Sequence, residues 1–74
     1  MTRWTRIRAT EAISALGKAG FELLRVKGSH HVLARPGGAM IVIPVHAGED
    51  LGPGLLRQIL REAELSVEDF TNLL

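Results

Sequence analysis

Two turn signals close to one another constrain this chain more than anything else in it. Lys27-Gly28-Ser29 and Pro36-Gly37-Gly38 bracket the six-residue run His30 to Arg35, with strand-prone segments Phe21 to Val26 and Ala39 to Val45 on either side. Connections this short join antiparallel strands, because a parallel crossover needs about a dozen residues or more. A three-stranded antiparallel sheet is therefore expected. Gly37-Gly38 can take positive φ at both central positions of a tight hairpin. That loop would set Pro36 opposite Ala39, Ala34 opposite Ile41, Val32 opposite Ile43 and His30 opposite Val45. This face is apolar, and the other carries Ser29, His31, Leu33 and Arg35 beside His46, Pro44, Val42 and Met40.

Helical spacing appears on both sides of the strands. Ala9, Ala12, Ile13, Leu16 and Ala19 repeat as one helix face, with Thr10 as cap and Gly20 as C-terminal stop. Gly52-Pro53 opens a second helix, whose buried stripe is Leu55, Leu56, Ile59, Leu60 and Ala63. Ser66-Val67-Glu68-Asp69 has the form of a capping box before a short third helix bearing Phe70, Leu73 and Leu74. Met1 to Arg8 has no period and reads as an N-terminal arm. A length of 74 residues accommodates one domain over 1–74 and excludes a Rossmann pair, a TIM barrel or a kinase. The expected fold class is α+β: an α-β-β-β-α sandwich of the double-stranded-RNA-binding-domain type, with helices on one face of the sheet and the other face open.

Charge placement says more than the net charge of +1. Residues 1–37 hold seven cations against two carboxylates, a net +5, and residues 38–74 hold two against six, a net −4. A basic half of this kind suits an anionic partner, most simply phosphates. Zero cysteines exclude a disulfide scaffold, a zinc ribbon and thiol catalysis, and fit a reducing cytoplasm. The longest apolar run, Ala39 to Val45, has 7 residues, short of the roughly 20 that span a bilayer. The first residues carry no apolar core of a signal peptide, so a cytoplasmic location with no membrane partner is expected.

Chemistry near neutral pH has three imidazoles to draw on: His30, His31 and His46. Adjacent strand residues point to opposite faces, so His30 and His31 do not grip one ion, and no carboxylate stands at ligand spacing; no metal or cofactor is expected. Ser29 lacks the strand-turn-helix elbow of a serine hydrolase. Gly48, Gly52 and Gly54 follow no parallel strand and read as loop glycines. Acid–base cleavage of a phosphodiester remains, since the 2′-hydroxyl of RNA attacks its own phosphate once a proton is moved. Arg25, Lys27 and Arg35 flank the histidines, and Arg57 and Arg61 stand i, i+4 on an outward helix stripe, which Glu62 and Glu64 also compensate. The same cations would serve an RNA-binding module that does not cut, and an open sheet could instead hold another protein.

Ala19-Gly20-Phe21, Lys27-Gly28-Ser29-His30-His31, Pro36-Gly37, Ile43-Pro44-Val45-His46 and Leu51-Gly52-Pro53-Gly54-Leu55-Leu56, followed by Ile59-Leu60, occur in that order. Together, over roughly residues 9–71, they resemble the HicA family of mRNA interferase toxins from type II toxin–antitoxin systems. The resemblance implies a metal-independent endoribonuclease acting on mRNA and neutralised by a HicB-type antitoxin. It implies His30 as the catalytic residue, the histidine directly after Gly-Ser, with Gly28 as the motif glycine. Ser29, His31 and His46 are expected in support, and Arg25, Lys27, Arg35, Arg57 and Arg61 in RNA binding. Leu55 stands where the family usually has threonine, and the arm with Trp4 matches no motif. One conflict follows: the resemblance favours His30, whereas the expected register turns His30 to the apolar face and His31 to the open one.

Overall fold

The computed structural model describes residues 7–46 and 50–74. In chain order the elements are β1 (Ile7–Arg8), α1 (Ala9–Lys18), β2 (Glu22–Lys27), β3 (His30–Ala34), β4 (Met40–Pro44), β5 (Asp50–Leu51), α2 (Pro53–Ala63) and α3 (Val67–Leu73). β2, β3 and β4 form an antiparallel sheet in that order, and β1 pairs with β5 in a separate two-stranded ribbon. The helices cover one face. Leu33, Ile41 and Ile43 of the sheet join Ala12 and Leu16 of α1, Leu56, Ile59, Leu60 and Ala63 of α2, and Phe70 of α3 in one core. The α+β sandwich expected from the sequence is the fold observed.

Local chemistry explains where the helices begin and end. Arg8, not Thr10, is the N-cap of α1, and its N–H donates to Glu11 Oε1 at 2.9 Å. At the other end Gly20 takes φ 101°, which glycine adopts without steric penalty. The Gly20 N–H then reaches the Gly17 carbonyl, and the Phe21 N–H reaches that of Leu16. This is the Schellman arrangement, and it drops Phe21 into the core beside the helix it terminates. Gly52 caps α2 with Pro53 in its first turn, and Ser66 Oγ accepts from the Asp69 N–H at 3.0 Å to open α3, both as expected.

The expected hairpin register is off by one. The observed partners are His30 with Pro44, His31 with Ile43, Val32 with Val42, Leu33 with Ile41 and Ala34 with Met40. Pro36 occupies the second position of a turn closed by the Gly38 N–H on the Arg35 carbonyl at 2.9 Å, and Gly37 follows at φ 73°. A proline there followed by positive φ is the type II pattern, so the turn starts at Arg35 and Pro36 leaves the ladder. Packing agrees. The shift buries Leu33 where the expected register would have buried the much smaller Ala34, a gain of about 2 kcal/mol by side-chain burial.

Two further expectations change. Of the arm expected over residues 1–8, residues 1–6 lie outside the described residues, and Ile7 is 4% exposed, belongs to the core and pairs with Leu51. Arg35, expected among the RNA contacts, is half-buried and holds the fold together. Its guanidinium donates to the Ala63 carbonyl at 3.3 Å and lies 5.0 Å from the centroid of the Phe21 ring. Gly38 leaves room for this: a Cβ there would stand 2.8 Å from Arg35 Cγ.

Two outcomes test these points. Glu64, just after α2, takes φ 59° while the Leu65 N–H reaches the Leu60 carbonyl. A non-glycine residue in the left-handed region costs about 1–2 kcal/mol, partly offset by the larger unfolded-state entropy of glycine. Glu64→Gly should raise stability by about 0.5–1 kcal/mol in denaturant titration. Arg35→Ala removes a hydrogen bond and a cation–π contact, and should lower stability by about 1–2 kcal/mol, read as a fall in Tm of roughly 4–16 °C.

Candidate active site on the open face of the sheet

The turn joining β2 to β3 sets the site. Lys27 pairs with His30, so Gly28 and Ser29 are the two residues of the hairpin loop. Gly28 has φ 59° and Ser29 is not in the positive-φ region, as a type II′ turn with glycine first requires. A side chain at Gly28 would meet nothing within 4 Å, so backbone conformation and not crowding demands the glycine. The Ser29 carbonyl accepts from the Val45 N–H at 2.6 Å. Because Pro44 has no N–H to donate, this bond ties the turn to the exit of β4 and brings His46 to the same end of the sheet.

Cross-strand partners share a face, so the pairing list is also a map of the two surfaces. On the face away from the helices, one row reads Lys27, His30, Pro44 and the next Arg25, Val32, Val42. His30, Lys27 and Arg25 are all exposed. Val32 is 8% exposed yet stands outside the core cluster, as expected of a residue in the middle of the opposite face. Met40 and Val42 remain 63% and 47% exposed there. The conflict between register and resemblance is thus removed: His30, not His31, lies on the open face.

His31 sits on the helix side between Val26 and Ile43 in the ladder. It is half-buried, and its Nδ1 is cut off from solvent with no hydrogen-bond partner among the described residues. Only the other ring nitrogen could exchange a proton with a substrate. His46 is exposed two residues beyond β4. Arg57 and Arg61 are exposed on α2, in the layer on the opposite side of the sheet from His30. The five cations expected to bind RNA are therefore divided. Arg25 and Lys27 share a face with His30, Arg35 is engaged inside the fold, and Arg57 and Arg61 lie across the sheet.

Gly52 and Gly54 are exposed at the start of α2, and Gly48 lies outside the described residues. Among the described residues no three His, Asp or Glu side chains come together to hold a metal ion. None of the helices described is long and apolar enough to cross a membrane. Sequence reading left Met40 and Val42 without a role, although their alternation with Ile41 and Ile43 is the signal that places them on the open face.

The arrangement offers one exposed imidazole at the start of a central strand, two cations beside it and an apolar strip next to them. No curated protein matches the chain. The sequence model of the family described as the HicA toxin of bacterial toxin–antitoxin systems matches residues 9–65, from the start of α1 to just past the end of α2. That span takes in both hairpins and His30, and the chain belongs to the HicA toxin family.

Proposed function

We propose that this toxin is an endoribonuclease that cleaves mRNA in the cytoplasm, with His30 as the group that moves the proton. The observation that carries the reading is the placement of His30: exposed, on the open face, directly opposite Lys27 and one row from Arg25. In RNA the 2′-oxygen attacks the adjacent phosphorus as the bond to the 5′-oxygen breaks. One proton leaves the 2′-hydroxyl and one arrives at the departing oxygen. His30 serves as base or acid in that exchange, a role worth about 10²–10⁴-fold in rate. Lys27 and Arg25 neutralise the charge that gathers on the phosphoryl oxygens. Each exposed cation contributes about 1 kcal/mol to a phosphate at 4 Å in water, and more when bound RNA excludes solvent.

Gly28 and Ser29 act by geometry, setting the hairpin that puts Lys27 across from His30. His31 and His46 are supporting residues at the same end of the sheet. A HicB-type antitoxin neutralises the toxin by covering the open face: Met40 and Val42 supply apolar anchorage, and Arg25 and Lys27 attract an acidic partner.

His30→Ala should retain the fold and RNA binding while losing cleavage of single-stranded RNA by about 10²-fold or more, assayed in EDTA. Cleavage that survives the substitution would defeat the assignment, and RNA binding without scission by the wild type would favour a non-catalytic module. His31→Leu removes a buried nitrogen that has no hydrogen-bond partner among the described residues. It should leave stability equal or higher and cleavage within a few-fold of wild type, since replacing an unsatisfied buried polar group with an apolar one is nearly neutral or favourable. Lys27→Ala should weaken RNA binding and reduce the slope of log affinity against log salt by about 0.7, the share of one single-strand phosphate contact.

A further inference from the structure

Among the described residues β2 ends the sheet, and all six of its residues are exposed. Leu23, Leu24 and Val26 are 50%, 55% and 51% exposed, an unusual load of apolar surface for a free edge. An edge strand presents unpaired N–H and C=O groups along its length, and such a strand is a template for another. We propose that β2 docks a second copy of this chain, antiparallel to itself, in one register. The inference uses only the shape and charge of this edge and does not rest on the ribonuclease reading.

The register follows from the faces. A two-fold axis perpendicular to the sheet makes the strands antiparallel and keeps each side chain on its own face. In a regular strand this forbids pairing residues an odd number of positions apart. β2 is not regular. Leu23 pairs with Leu33 and Arg25 with Val32, so Leu24 is an extra residue and the alternation changes phase across it. Glu22 and Lys27, aligned with Ala34 and His30, consequently both lie on the open face. Leu23 and Val26, aligned with Leu33 and His31, both lie on the helix side.

The alignment that pairs all six residues of β2 satisfies these constraints. It sets Glu22 opposite Lys27 of the second copy and Leu23 opposite Val26 of the second copy, and symmetry makes each pair occur twice. Opposite charges and apolar pairs at directly facing positions are each favourable. Shifting by one residue in one direction brings Leu23 against Arg25, and in the other against Lys27, residues of opposite faces. The second shift also sets Arg25 against its own copy. The bulge and the basic residues that discourage indiscriminate strand pairing leave this alignment open, because it alone offers Glu22 to Lys27. The result is a sheet of twice the width with all helices on one side and the two His30-bearing faces continuous. A single strand pair is a small interface, so association is expected at roughly micromolar concentrations or above.

Sedimentation of the full chain from about 1 μM to 1 mM should show the mass rising from monomer to dimer. Glu22→Lys and Lys27→Glu should each abolish the rise, and the double variant carrying both should restore it. A wild type that stays monomeric, a dimer indifferent to the single exchanges, or a double variant that does not recover would each overturn the proposal. The chain has no cysteine, which permits a direct check of register. Mixing Leu23→Cys chains with Val26→Cys chains under mild oxidation should give mixed disulfide dimers well beyond the excess over each homodimer that random pairing produces. A purely statistical distribution would refute the alignment.

Discussion

The seating of β3 between β2 and β4 is the constraint on which the rest of this molecule depends. A strand has two faces and a period of two, so a shift of one residue exchanges the surfaces on which every side chain lies. Here Leu33 and Ile41 meet on the helix side and are almost completely buried. That pairing places His31 among buried groups and His30 in solvent. The side chain assigned to chemistry is thus positioned by a leucine three residues away that takes no part in it.

The turn geometry and the core act together. Pro36 and Gly37 start the β3–β4 turn at Arg35, and the Arg35 side chain runs back to the C-terminal end of α2 and across the Phe21 ring. Phe21 itself is brought into the core by the reversal of α1 at Gly20. One arginine therefore links a sheet loop, the last turn of α2 and the segment after α1. Burial of residues such as Phe70, Leu16 and Ile59 contributes about 1.5–3 kcal/mol each, more than the roughly 0.5–1.5 of a hydrogen bond, so the core supplies most of the stability and the polar contacts fix relative placement.

Dividing the cations has a functional consequence. The basic half of the sequence suggests one anion-binding surface, but the fold separates its members by layer. Arg25 and Lys27 remain on the open sheet, where no helix competes for them, beside His30 and the exposed Met40 and Val42. Such a surface suits a phosphate backbone and equally an acidic protein that excludes it. β2 adds a second character to the same cations, because Lys27 stands both opposite His30 and at the sheet's edge.

Local signals in the chain already decide the order of the three helices and of the three sheet strands, and the Gly28-Ser29 turn before His30, because turn residues and periodicity act over a few neighbours. Motifs in order identify the family. Three matters lie beyond local signals. The β3–β4 register turns on whether Pro36 ends a strand or begins a turn, which the burial of Leu33 against distant Ile41 settles. The pairing of Ile7 with Leu51 and the capture of Arg35 by Ala63 and Phe21 join residues far apart in the chain, for which spacing carries no signal. Composition can count cations and imidazoles, but only packing assigns each to a face, since burial is a property of the neighbours a residue acquires on folding.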